Sequence, residues 1–425
     1  MTRVTATERT LASGVSAKVL RIDVEAFHVR PLFLEPASAA ETEIARRLGR
    51  ARLKVDLVPV APAAQRLDRP VPHEFPGIGQ VLGLSPRAAP VAEGQKPLAP
   101  LHLLRFQSAA LPAGDLLVNA NYFLFLVPEL ESPWDAYGDP IGLSLAQGEI
   151  ETPPQMPRAC LVSGDKGVEI RRIGFGEVGI DTALGSFQPH PFGPPDRLDV
   201  STAFALFHGS VAGRTCAAEG IWDVAFVGRH AVAMKPDGAM PIPRAGCVLR
   251  VATRDLAEAL AAGPIRYHLP GLTEGVQAGP LILDNGRVTE DGRDVFAEEH
   301  KRPIPERPDD IPVSPHRWAA DWRATRAARL SAGITADGGV FFCAVEGTSG
   351  FFKNTGAAKG ATLHDLAILM AEEGAKSALH LDGGGSTQVF GPMGGALVQP
   401  RDVNHEDPDD TAQIDRPLPL ALHLS

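Results

Sequence analysis

Alternation of apolar and polar positions is the first legible pattern in the chain. In Ala17-Lys18-Val19-Leu20-Arg21-Ile22-Asp23-Val24-Glu25-Ala26-Phe27, Leu20, Ile22 and Val24 fall on one face at period two, which predicts a strand. Ser38 with Glu41 then forms a capping box, and Ile44, Ala45 and Leu48 make a helical stripe behind it. Residues 61–100 are rich in Pro, Ala and Gly and read as an irregular insertion. Within it, Gly77-Ile78-Gly79 with Gly83 reads as a turn, because no helix follows and the third glycine is out of step for a nucleotide loop.

Strand patterns resume at Asp115–Phe125, Ile141–Leu145, Ala159–Leu161 and Val168–Ile173, each bounded by Gly, Pro or Asp. Residues 185–275 read as a second insertion, mixing short strands with a helix over Thr253–Ala262. The last hundred residues are clearer. Gly333–Thr335 and Val340–Val345 flank the hairpin turn Asp337-Gly338-Gly339. Thr362 opens a helix with Asp365 placed for a capping box, and Leu363, Leu366, Ala367 and Met370 line one buried face. Gly374 suits the helix end, Ser377–Leu381 is a short buried strand, and the closing Arg416–Leu422 reads as an edge strand because its prolines cannot donate to a ladder.

Composition adds two constraints. With 43 Gly and 38 Pro the chain has many turns, which favours a strand-rich body over a helical bundle. The net charge is −10 and no block of Lys and Arg stands out, which argues against nucleic-acid binding. The four cysteines, Cys160, Cys216, Cys247 and Cys343, form no CxxC. They exclude a zinc module and a disulfide scaffold, with a buried thiol expected at Cys343 and a Cys216–Cys247 bridge left open. No signal peptide and no membrane span is expected, so the chain as given reads as cytoplasmic. No metal-ligand spacing and no cofactor motif is present.

Chemistry concentrates in Leu381-Asp382-Gly383-Gly384-Gly385-Ser386-Thr387. Three glycines after an aspartate free the backbone to aim N–H groups at one point, an anion-binding nest with two hydroxyl donors and a carboxylate on its rim. A carboxylate beside a phosphate cradle suits cleavage at a glycosyl phosphate, where positive charge builds on the sugar ring. The same run also reads as a tight turn in which Asp382 bonds its own backbone.

Several segments together resemble the phosphodiester glycosidase family. The family's final strand and turn appear as Ala378-Leu379-His380-Leu381-Asp382-Gly383-Gly384-Gly385-Ser386-Thr387 after the 360–374 helix. Four weaker elements appear in order. They are Asn119-Ala120-Asn121-Tyr122-Phe123, Ala278-Gly279-Pro280-Leu281 with Asn285-Gly286, Arg329-Leu330-Ser331-Ala332-Gly333, and Arg416-Pro417. Departures from the family pattern stand at Ala120, His380, Leu330-Ser331 and Glu346-Gly347, and they suggest a divergent branch.

The resemblance implies an α/β fold of α+β type, with a mixed, strand-rich sheet, flanking helices and irregular insertions in one domain over 14–425, after a tail at 1–13. Family motifs occupy 110–180 and 275–425. It also implies hydrolysis of a small-molecule or oligosaccharide sugar-phosphate diester at the anomeric carbon, without nucleic acid or membrane span; relatives of the family are often exported. Asp382 is the first candidate for the carboxylate at the anomeric carbon. Arg329 is expected to contact phosphate, Glu346 to supply a partner carboxylate, and His380 an acid or base. Asn119 and Asn121, expected on one strand face, with Gly279, Gly383, Gly384, Gly385, Ser386 and Thr387, are the expected substrate-binding residues. The competing reading from another class is a non-catalytic carbohydrate- or polysaccharide-binding protein with the same fold.

Overall fold

The apolar run Val340–Val345 is buried on both faces, and its two sides feed two different cores. A computed structural model describes residues 2–34, 102–124, 132, 134–135, 138–154, 157–187, 205–208, 214–215, 217–289, 326–348, 359–399, 402–403 and 413–425. The expected helix near Ile44, the glycines at 77–83 and the insertion over 61–100 lie outside the described residues, as does Cys216.

Val340–Val345 is a central strand of a seven-stranded sheet ordered Arg3–Thr10, Ser16–Val24, Val340–Val345, Arg329–Thr335, Ala375–His380, Leu281–Asp284 and Arg287–Val288. On one face Val19, Phe341, Cys343 and Val345 pack with Leu366 and Met370 of the helix Leu363–Glu372. On the other, Leu20, Ile22, Leu330, Phe342, Ala344 and Leu379 meet Leu116, Val118, Val389 and Leu422 of a five-stranded sheet. Period-two alternation in each strand therefore sorts residues between a helix layer and a second sheet. That second sheet runs Ala396–Val398, Val389–Phe390, Leu116–Asn119, Ala421–Leu424, Phe27–Arg30. A further five-stranded sheet, containing Arg158–Gly164 and Leu272–Gln277, contributes Leu161 and Val276 to the same core.

Every pairing among the described strands is antiparallel, so the expected mixed sheet is corrected. The helix Leu363–Glu372 precedes Ala375–His380, which pairs not with Val340–Val345 but with Arg329–Thr335, to which both are antiparallel. The described part is mostly β. Its α-helices are Leu104–Gln107, Arg254–Ala261 and Leu363–Glu372, and none is long and apolar enough to cross a membrane. Three other expectations also change. Arg3–Thr10, read as a tail, is an edge strand on Ser16–Val24. The strand expected over 115–125 stops at Asn119, so Asn121 does not share a strand face with Asn119. The C-terminal strand is Ala421–Leu424 and lies inside its sheet, since Pro417 and Pro419 precede the ladder and cost it no donor. In the segment read as the second insertion, Ala205–His208, Ala217–Val227, His230–Gly238 and Gly246–Val251 build a four-stranded sheet packed with the helix Arg254–Ala261.

The punctuation residues act as the pattern predicts. Asn285 and Gly286 both take positive φ, 48° and 78°, as the two-residue hairpin turn requires. Thr362 and Asp365 complete the capping box, and Asp365 also accepts the Ser13 N–H at 2.8 Å and Arg326 Nη1 at 3.2 Å. One buried carboxylate thus joins the N-terminal hairpin to the helix before the Asp-Gly-Gly-Gly turn. Asp365→Ala is expected to cost about 1–3 kcal/mol of unfolding free energy, read by urea denaturation, because it removes a cap and leaves buried N–H donors unmade. Cys343 is a buried free thiol pushed up to about 12 by burial, as is Cys247, whose Sγ lies 3.3 Å from Tyr267 Oη.

Candidate active site

The strand Ala375–His380 ends where the glycines begin, and the chain turns sharply through the 3-10 turn Gly384–Ser386. Gly384 takes φ 62°, a left-handed conformation that disfavours any Cβ. Most N–H groups of this turn are spent on protein acceptors. Asp382 N bonds Ala120 O at 3.0 Å, Gly384 N bonds Ala328 O at 2.9 Å, and Thr387 N bonds Gly384 O at 3.1 Å. Ser386 N bonds Gly383 O at 3.2 Å, and the Gly383 N–H bonds the Asp382 carboxylate. The expected anion nest is therefore corrected. The glycines let the backbone pack against the neighbouring segments at 120 and 328, and the alternative tight-turn reading describes the backbone better.

Across residues 382–388 Asp382 alone keeps more than slight exposure; Gly383, Gly384, Gly385, Ser386, Thr387 and Gln388 are buried. Its carboxyl is nonetheless surrounded by protein. Desolvation pushes it up to about 6, opposed by the Arg416 charge, the Ser386 hydroxyl, the Gly383 N–H and the Arg329 charge. Ser386 Oγ accepts from Arg416 Nη1 at 2.9 Å while its hydroxyl faces Asp382, so Ser386 carries no free donor toward a substrate. Arg416, 8% exposed, is the charged neighbour of Asp382 absent from the residues the sequence singled out for the site. Its signal was present in Arg416-Pro417, read there as a strand segment and a family-like element but not as a site residue.

Arg329 lies at the back of the turn and is wholly buried, so its expected phosphate contact is corrected. Its Nε donates to Ala361 O at 3.1 Å, and desolvation lowers it to about 10 against the raising effect of Tyr122 and Asp382. It acts as an internal countercharge. His380 is equally buried, and burial together with the Arg329 charge holds it well below the usual imidazole range, so the ring stays neutral. Its Nδ1 lies 3.0 Å from Tyr122 Oη, which in turn donates to Gly279 O at 2.7 Å. A ring with no solvent access is poorly placed for acid–base work on a substrate, and the expectation for His380 is corrected to a packing and electrostatic one. Gly279 is likewise buried, its carbonyl taken by Tyr122 and its N–H by His380 O at 2.8 Å.

Glu346 does not join this group. It forms an ion pair with Lys18 at 2.6 Å, about two-fifths exposed on both sides, on the side of Val340–Val345 away from Ala375–His380. The expected second carboxylate is corrected to a surface pair. Asn119 is brought to the site, but as a clamp: its Nδ2 donates to Asp382 O at 2.7 Å and its Oδ1 accepts from Gln388 N at 2.9 Å. Asn121 reaches Ile141 O at 3.4 Å, and its Oδ1, like Thr387 Oγ1, is buried without a partner among the described residues.

Residues 221–424 match the sequence profile described as phosphodiester glycosidase, a span that contains Arg329, His380, Asp382, Ser386 and Arg416. This region of the chain resembles the phosphodiester glycosidase family. The matched span holds the carboxylate and its cationic partners, while Asn119 and Tyr122 come from outside it. Among solved structures, a hypothetical protein from Synechocystis is 16% identical with a TM-score of 0.45 over 99% of this chain, which spans 62% of that one. A Burkholderia pseudomallei protein is 16% identical with a TM-score of 0.45, covering 100% of this chain and 97% of its own. The zebrafish N-acetylglucosamine-1-phosphodiester alpha-N-acetylglucosaminidase catalytic domain, auto-inhibited by its pro-peptide, is 10% identical with a TM-score of 0.44, covering 100% and 82%. The search of curated proteins finds no match.

Proposed function

We propose that this chain hydrolyses a sugar–phosphate diester at the anomeric carbon, releasing free sugar and a phosphomonoester. The observation that carries the reading is Asp382, a partly exposed residue whose desolvated carboxyl is pushed up to about 6 on a turn that buries every neighbour. Ionised, Asp382 stabilises the positive charge that develops at the anomeric carbon. Water oxygen bonds to that carbon, the carbon–oxygen bond to phosphate breaks with its electron pair, and the water proton leaves to phosphate or solvent. A phosphomonoester departs readily near neutral pH, so a second carboxylate is dispensable, which agrees with Glu346 lying elsewhere.

Incubation with a panel of glycosyl phosphodiesters and ordinary aryl glycosides, following sugar release, tests the substrate class. Release from the diesters alone supports the proposal. Binding without release supports the carbohydrate-binding alternative instead. Because Asp382 works ionised, kcat/KM is expected to fall about tenfold per pH unit below pH 6 and to level off above it. A profile flat between pH 4.5 and 7.5 would remove Asp382 from the reaction.

A further inference from the structure

The bonds around Asp382 close into a ring through a residue that plays no part in the reading above. Asn119 Nδ2 holds the Asp382 carbonyl at 2.7 Å, and Asn119 Oδ1 holds the Gln388 N–H at 2.9 Å. Gln388 Nε2 donates to Arg416 O at 2.8 Å, Arg416 Nη1 donates to Ser386 Oγ at 2.9 Å, and the Ser386 hydroxyl returns to the Asp382 carboxylate. Residues 415–417 belong to no strand, and Pro417 has no N–H to offer a ladder. The Gln388 amide therefore tethers the Arg416 backbone where no sheet does.

Gln388 is 1% exposed, and its Oε1 has no partner among the described residues. The amide end at Arg416 O must be the nitrogen, since a carbonyl can only accept. A buried amide carries a desolvation cost that an apolar side chain of the same size would not. Stability alone therefore gives no reason for glutamine here, whereas holding Arg416 does.

We propose that Gln388 is a positioning residue that fixes Arg416, and through Arg416 and Ser386 the Asp382 carboxylate; this rests on Asp382 as the working group. The charged and titratable groups facing Asp382 are Arg416 from the C-terminal segment and Arg329 from the strand Arg329–Thr335. Tyr122 and His380 flank Arg329 in turn. Arg416 opposes the desolvation of Asp382, so loosening it raises the Asp382 titration midpoint.

The test is the titration of Asp382 in full-length protein carrying 13C at the aspartate carboxyls, with Asp382→Asn assigning the resonance. Gln388→Leu is expected to move the midpoint upward by about half a unit or more. Arg416→Gln moves it further, and the double variant titrates like Arg416→Gln alone, because both act through one guanidinium. In kinetics Gln388→Leu lowers kcat more than it raises KM, and its acid limb shifts to higher pH. Should Gln388→Leu not fold, Gln388→Met, closer in shape, takes its place. A wild-type midpoint in a folded Gln388 variant, or additive shifts in the double variant, overturns the tether. Absent sugar release with the titration coupling intact overturns the glycosidase reading and supports the tether.

Discussion

Asp382→Asn is expected to abolish sugar release, by at least about a thousandfold, while making the protein more stable at neutral pH. The two effects have one cause. The folded protein holds this carboxyl near 6 against an ordinary 3.8, because desolvation outweighs Arg416, Ser386, Gly383 and Arg329. A raised carboxyl midpoint means that the native state binds the proton more tightly than the unfolded chain. Stability on this account is greatest at low pH and is lost as pH rises through 6. Roughly two units correspond to a ceiling of about 3 kcal/mol, and partial solvent access reduces it to about 1–2 kcal/mol. Asparagine keeps the shape without the charge. Its melting temperature should exceed wild type at pH 7.5, with the gap narrowing as pH falls from 6 toward 4. Wild-type rates in the variant would end Asp382's candidacy, and an equal or lower melting temperature at pH 7.5 would show that the folded state does not strain this carboxylate.

Gly383→Ala is expected to cost about 1–3 kcal/mol and to lower activity by about one to two orders of magnitude. The backbone at Gly383 is extended, with φ −113°, so its conformation would accept alanine. Space would not. An added Cβ falls 3.0 Å from His380 Nε2 and 3.2 Å from Arg329 Nη1. Neither neighbour yields easily, since His380 is fixed by Tyr122 and Arg329 by Ala361 O, and both are wholly buried. The methyl group therefore displaces the turn, moving Asp382 one residue away. Circular dichroism with chemical denaturation reads the first effect and initial rates on the diester panel the second. A variant with wild-type stability and rate would mean that the pocket under residue 383 adapts, and that Asp382 tolerates movement of its turn.

Much of the C-terminal third is legible in the sequence because local rules agree there. The capping pair Thr362 and Asp365, the Asn285-Gly286 turn and the apolar run Val340–Val345 each fix their element by short-range chemistry, and the structure contains all of them. The run from Leu379 to Thr387 also singled out Asp382, the partly exposed residue of its turn. What periodicity does not carry is which partner a polar group finds. The glycine run offers several N–H donors on paper, yet packing hands them to carbonyls at 120, 328, 383 and 384 and to Asp382 itself.

The same limit explains the arginines and the acids. Arg329 looks like an anion contact in sequence but is wholly buried, and Arg416, 87 residues on, stands beside Ser386 and Asp382. Glu346 follows its strand as expected, and only strand order shows that it faces Lys18. Asn119 comes from 263 residues before Asp382 to hold its carbonyl. The sequence by itself determined the Val340–Val345 strand, the Thr362 helix cap and the turn that carries Asp382, because these depend on neighbours along the chain. The tertiary structure alone decided which charges surround that carboxylate, because desolvation and hydrogen-bond partners depend on what packs against a group from distant parts of the chain.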